Sequence, residues 1–157
     1  MKPAVVIGYG NPLRQDDAIG RRAAELLTSC EAEIICCHQL TPELAAALAG
    51  APLAIFLDAA VDQHPGQVLS RRVSPCHSDL TSHHLAPEQL LDLARLLNGD
   101  APPAYLITGG VDRTGIGDTL TPAAERCAAR MADVALDLLS IEKFASHMRP
   151  PELGYSR

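Results

Sequence analysis

Aromatic residues are scarce in this chain. They form 3% of its 157 residues, and tryptophan is absent, so the core must be assembled from Leu, Ala, Val and Ile. Basic charge is also short: 13 Lys and Arg stand against 19 Asp and Glu, for a net charge of -6. A nucleic-acid partner would need a basic stripe facing its phosphates, so none is expected, while a basic protein partner remains compatible. No segment approaches the roughly 20 apolar residues that span a bilayer. Nothing near Met1 reads as a signal peptide, because Lys2-Pro3 leads only into a short apolar run that ends at Gly8. The expectation is a cytoplasmic protein without membrane contact.

Cysteine pairing is missing too. Cys30, Cys36, Cys37, Cys76 and Cys127 are odd in number and lack CxxC spacing, which reads as reduced thiols and not as a disulfide framework or zinc clip. Cys36 and Cys37 adjoin on a predicted strand, where neighbours point to opposite faces; both are expected to be buried small hydrophobes. There is no GxSxG elbow, no HExxH and no Gly-rich loop closing in Gly-Lys-Ser/Thr, so serine-hydrolase, zincin and P-loop chemistries have no support. Gly8-Tyr9-Gly10 suggests a dinucleotide loop, but Leu13 stands where the third Gly belongs. Asp16 and Asp17 also occupy the helix start that a pyrophosphate would need.

The apolar patterning implies strands alternating with helices. Residues 4–7 form a short run closed by Gly8, as in a strand buried on both faces. Ile19, Ala23, Leu26 and Leu27 share a helical face over 19–27. A strand follows over 33–37, then a helix over 42–48 with Thr41 as cap and Pro42 in its first turn. Residues 53–57 form a buried strand that ends at Asp58, and 67–73 an exposed one near an edge. The polar segment 74–84 reads as a loop. A helix over 87–97 turns Leu90, Leu91, Ala94 and Leu97 inward. The last strand covers 104–108, and Thr121-Pro122 starts a long helix ending near Leu139. One α/β domain over 1–140 is expected: a single three-layer unit, its mostly parallel sheet carrying helices on both faces. A loose tail over 141–157 is expected to follow.

In such a sheet, ligands bind at the carboxyl ends of the strands. The segments leaving those ends bring Asp16, Asp17, Asp58, His83 and His84. Two carboxylates and an imidazole suit borderline divalent cations such as Ni, Zn or Mn, and three protein donors leave coordination positions open. Each residue also has a plainer reading. Asp16 or Asp17 could cap the following helix, Asp58 could accept turn amides, and His83 or His84 could be solvated. His38, His64, His77 and His147 show no partner pattern.

The segment Gly8-x-Gly10-Asn11-Pro12-Leu13-x-x-Asp16-Asp17-x-x-Gly20 resembles the N-terminal signature of the hydrogenase maturation proteases. That resemblance extends over most of the chain. Asp58 after its apolar strand is similar to the family's second acidic position. Thr81-Ser82-His83-His84-Leu85 is similar to its histidine segment, and Gly117-x-x-Leu120-Thr121-Pro122 to its final-helix entry. The resemblance implies an endopeptidase that removes a C-terminal extension from the large-subunit precursor of a nickel-iron hydrogenase, acting as a monomer. It assigns Asp17, Asp58 and His83 as the catalytic, metal-contacting set, with Asp16, His84 and Asn11 as secondary candidates. It implies no permanently bound cofactor; the nickel comes with the substrate, and Cd or Zn could occupy the site in vitro. Ala18 replaces a common Gly, and His38-Gln39-Leu40-Thr41-Pro42-Glu43 departs from the usual Gly-rich loop, which is expected to touch substrate. Two other readings use the same residues: a non-catalytic nickel-sensing chaperone or checkpoint protein, and a small-ligand module in which Asp16 and Asp17 only cap a helix.

Overall fold

The computed structural model describes residues 2–27, 30–77, 85–112 and 117–149. The apolar run near the amino end becomes β1 (Val5–Tyr9), and a short 3-10 turn at Gln15–Ala18 passes into α1 (Ile19–Glu25). Then come β2 (Glu33–Cys37), a 3-10 turn at Pro42–Leu44, the one-turn α2 (Ala45–Leu48) and β3 (Ala54–Ala60). The chain ends with β4 (Val68–Val73), α3 (Pro87–Asn98), β5 (Ala104–Gly110) and α4 (Pro122–Met148).

The five strands lie in the order β2-β1-β3-β5-β4. The first four run parallel, and β4 pairs antiparallel with β5 at one edge. Strand alternation divides the apolar residues between two faces. Val6, Ile55, Leu57 and Ile107 pack with Ile19 of α1 and Met131 of α4. Val5, Ile7, Phe56 and Leu106 pack with Leu48 of α2 and Leu90 and Leu91 of α3. Each fully buried Leu, Ile or Phe contributes about 2 kcal/mol. The result is the expected three-layer α/β fold with a mostly parallel sheet, here of five strands.

Several boundaries and facings differ from the sequence reading. Leu26 and Leu97 are 40% and 67% exposed, so neither faces the core; Ala24 is buried on α1 instead. β3 and β5 run past Asp58 and Thr108 to Ala60 and Gly110. Cys36 is exposed on the edge strand β2 and Cys37 is half-buried, so the pair is not buried as expected. Thr41 occupies the capping position of the Pro42–Leu44 turn, but its side chain makes no capping hydrogen bond. Instead it hydrogen-bonds the Glu43 carboxylate, though the Glu43 backbone lowers that group's pKa more.

The largest boundary difference is α4, which continues well beyond Leu139 to Met148. Past the body of the sheet its outer side carries exposed Ile141, Phe144 and Met148. The extension is held by contacts other than core burial. Lys143 pairs with Glu31 at 2.8 Å, Ser140 donates to the Leu136 carbonyl at 2.9 Å, and Ser146 donates to Glu142 at 2.5 Å. Residues 150–157, the remainder of the expected tail, lie outside the described residues. Among the described residues no helix is long and apolar enough to cross a membrane.

Candidate functional site

The chain leaves β1 toward β2 on one side and later returns to β3 on the other. The crevice at the carboxyl ends of β1 and β3 is therefore the topological switch point, where ligands bind in open α/β sheets. Two segments supply its residues: the loop and 3-10 turn between β1 and α1, and the end of β3.

The first segment is built by the sequence motif. Asn11 folds the loop: its side-chain oxygen accepts from the Leu13 amide at 2.9 Å, an Asx turn. The Arg14 amide closes the next turn on the Asn11 carbonyl at 3.1 Å, with Pro12 in the position where its fixed φ is favourable. The chain then doubles back so that the Asn11 amide donates to a carboxylate oxygen of Asp17 at 3.0 Å. Two glycines make this possible. Gly10 has φ 150°, and a Cβ there would collide with the Asp17 carbonyl. Gly20 lies in the first turn of α1, where a Cβ would strike the carbonyl oxygens of Leu57 and Tyr9. The helix start is thereby pressed onto the ends of β1 and β3, which places Asp17 beside Asp58.

Asp58 and Tyr9 are set by register. Gly8 pairs with Leu57, so Tyr9 and Asp58 follow as the next neighbours and point to the same face. Tyr9 packs against the cluster under α2 and α3. Asp58 Oδ1 accepts from the Ala59 amide at 2.8 Å. Burial pushes the Asp58 carboxyl up to about 6 and the nearby Asp17 charge adds to this, while hydrogen bonds from the Ala59 amide and the Tyr9 hydroxyl oppose it. Burial, then the Asp58 charge, push the Tyr9 phenol above its usual value, so it stays protonated and can donate. On the other side of Asp58, Thr108 is its partner in β5. Thr108 Oγ1 and its carbonyl hold Gln63 at 2.8 and 3.1 Å, fastening the β3–β4 connection over that strand end.

Asp16 has a different position. It is 2% exposed, and its two oxygens accept from the Thr121 amide at 3.1 Å and the Thr121 hydroxyl at 3.0 Å. Thr121 in turn caps α4 by accepting from the Ala124 amide at 3.2 Å. Neither Asp16 nor Asp17 caps the helix that follows it, since Arg14 and Ala18 occupy those positions without side-chain capping bonds. Asp16 is instead a brace between distant segments. Gly117 completes the brace: its carbonyl accepts from Gln15 at 3.0 Å and its amide donates to Leu13 at 2.9 Å.

The structure therefore brings Asp17, Asp58 and the Asn11 amide to one crevice and turns Asp16 away from it. His83 and His84 lie outside the described residues. The flanking chain is well anchored. Leu85 packs on the same cluster as Tyr9, and the Cys76 amide donates to the Glu88 carbonyl at 3.1 Å. His77, which showed no partner in sequence, sits 3.0 Å from the buried Asp92 carboxylate, which Arg95 also contacts. Among the described residues, no three His, Cys, Asp or Glu side chains gather into a metal-holding group. Sequence reasoning missed Tyr9 and Thr121 as partners of the acidic residues. A tyrosine at the end of a buried strand, in a chain with three tyrosines and no tryptophan, was the available signal for the first.

No protein-family model and no curated sequence matches the chain. Solved structures do. The hydrogenase maturating endopeptidase HybD from E. coli superposes with a TM-score of 0.72 at 24% identity, over 90% of this chain and 93% of that one. The NiFe hydrogenase maturation protease HycI from Thermococcus kodakarensis gives 0.69 at 21% identity, over 88% and 93%. The hydrogenase 2 maturation peptidase from a Thaumarchaeota archaeon gives 0.62 at 22% identity, over 89% and 99%. The chain thus shares its fold with these maturation peptidases across nearly the whole length of each partner.

Proposed function

We propose that this chain is a hydrogenase-maturation endopeptidase, which removes a C-terminal extension from a nickel-loaded large-subunit precursor. The observation that carries this reading is the convergence of Asp17 and Asp58 at the switch point, close enough for the Asp17 charge to raise the Asp58 pKa. Two half-buried carboxylates near one another are costly without a cation, which fits a site that receives one. His83 supplies the third donor; Leu85, two residues on, is docked on the face that carries Tyr9. The shared fold supports the same assignment.

In this reading the metal belongs to the substrate. Oxygen and imidazole donors meet a nickel otherwise held by the precursor's thiolates, and nickel polarises the scissile carbonyl or activates a water. No serine or cysteine paired with a base is needed. Asp16 is not the base in this scheme, because both of its oxygens are occupied by Thr121. The protein acts in the cytoplasm, as a monomer, with the precursor as partner and with no nucleic acid or membrane.

The test is mass spectrometry of nickel-loaded precursor incubated with wild-type protein or with Asp17→Ala, Asp58→Ala or His83→Ala. The wild type should remove a C-terminal peptide and each variant should remove none while remaining folded. Precursor that binds the wild type but keeps its full mass would favour the checkpoint reading.

A further inference from the structure

The two edges of the sheet are built differently. β4 carries Ser70, Arg71 and Arg72 exposed along its length, and charged side chains of this kind keep an edge strand from pairing with other chains. β2 lacks that protection. After Glu33 it reads Ile34-Ile35-Cys36-Cys37, with no charge and no proline, and every residue is half-buried or exposed. Its register with β1 is unbroken over five residues, so no bulge turns the edge away. The backbone groups divide by alternation. The Glu33 amide donates to the Ala4 carbonyl at 2.8 Å, and the Cys37 carbonyl accepts from the Gly10 amide at 3.2 Å. Glu33, Ile35 and Cys37 therefore turn their backbone groups to β1, and Ile34 and Cys36 turn theirs outward. Among the described residues nothing pairs with those outward groups.

This open edge leads into the crevice. Cys37 stands opposite Tyr9, and the Gly10 amide on its carbonyl is followed at once by the Asn11 amide on Asp17 at 3.0 Å. We propose that β2 is the docking edge for the C-terminal extension of the protein substrate, which adds to the sheet as a further strand antiparallel to β2. This rests on the reading of Asp17 and Asp58 as the cleavage site. The direction follows from the placement: the scissile bond lies at the crevice, and the extension leaves it along β2 toward Glu33. Strands lie about 4.8 Å apart, so the added one is roughly 14 Å from β3, a distance that about four or five extended residues cover. Ile34 and Cys36 each exchange two backbone hydrogen bonds with the peptide. The uncharged flank from Ile34 to Cys37 suits an extension of uncharged, β-forming residues. A second copy of the chain fits less well, because two five-residue edges bury well under the roughly 800 Å2 per partner of a stable dimer.

The experiment follows hydrogen exchange by mass spectrometry in the non-cleaving Asp58→Ala protein, mixed with nickel-loaded precursor or with the same precursor lacking its extension. Residues 33–37 should gain protection with the full precursor alone. Protection at 9–17 without any at 33–37, or equal protection of 33–37 by both forms, would overturn the docking edge and leave the site reading intact. Protection at neither segment would overturn both. A second readout is kinetic. Cys36→Pro removes an outward N–H that β1 does not use, so the fold should be kept, and kcat/KM for the loaded precursor should fall about 10-fold, mainly through KM. Ser70→Pro on β4 should match the wild type; its amide also faces outward, because Gln67 pairs toward β5 through the Gly110 amide at 2.8 Å. Unchanged kcat/KM in folded Cys36→Pro would overturn the proposal. So would a wild-type dimer in sedimentation that Cys36→Pro dissociates with processing intact, which would assign the edge to a second copy.

Discussion

Asp16 and Asp58 are two carboxylates at the same edge of one sheet, and their surroundings are opposite. Asp16 is buried and receives two hydrogen bonds from Thr121. Asp58 is held beside Asp17, and burial raises its pKa to about 6. One arrangement stabilises the fold, tying the first loop to the start of α4. The other costs stability and is retained at the point where ligands enter. Adjacent positions in a motif, Asp16 and Asp17, thus differ in setting: one braces the fold through Thr121, and the other is the one the proposed function directs at a substrate.

The comparison predicts opposite signs for similar substitutions. Asp16→Ala should lower stability by about 3 kcal/mol, since two bonds to a buried acceptor disappear and the half-buried Thr121 donors lose their partner. Chemical denaturation would show this as a lower midpoint with an unchanged slope.

Asp58→Asn should do the reverse, raising stability by about 3 kcal/mol at pH 8 while abolishing processing. The sign follows from the direction of the shift. A carboxyl whose folded pKa is raised, from 3.8 to about 6, contributes stability that is fully present below about pH 4 and is lost as pH rises through about 6. The advantage of Asp58→Asn over the wild type should therefore be small near pH 4 and grow to its full size by pH 7. A variant less stable than the wild type at pH 8 would break the contrast.

The smallest effect belongs to Thr121→Ala, expected to cost about 1–2 kcal/mol, because it removes the α4 cap and one Asp16 bond but leaves the Thr121 amide in place. Combined with Asp16→Ala it should cost less than the sum of the two, a coupling that a double-mutant cycle reads directly.

Much of the sheet was legible in the sequence, because the short apolar runs over 4–7 and 53–57 have the length and β-branched content of buried strands, although β1 and β3 extend past Gly8 and Asp58. Asp17 and Asp58 were legible as strand-end carboxylates. Leu26 and Leu97 misled because helical periodicity marks a broad face, and residues at its border can turn to solvent. The end of α4 misled because its last turns overhang the sheet, so the inward stripe that defines a helix in sequence stops near Leu139 while the hydrogen-bonded helix continues to Met148. The Tyr9–Asp58 and Asp16–Thr121 pairs join distant segments, and only strand register and packing reveal them.

The central claim is that the acidic crevice receives the substrate's nickel, and one comparison tests it most directly: the same precursor, nickel-loaded and nickel-free, incubated with the same wild-type protein and weighed. The account predicts loss of the C-terminal peptide from the loaded form alone. Equal cleavage of both forms would contradict it.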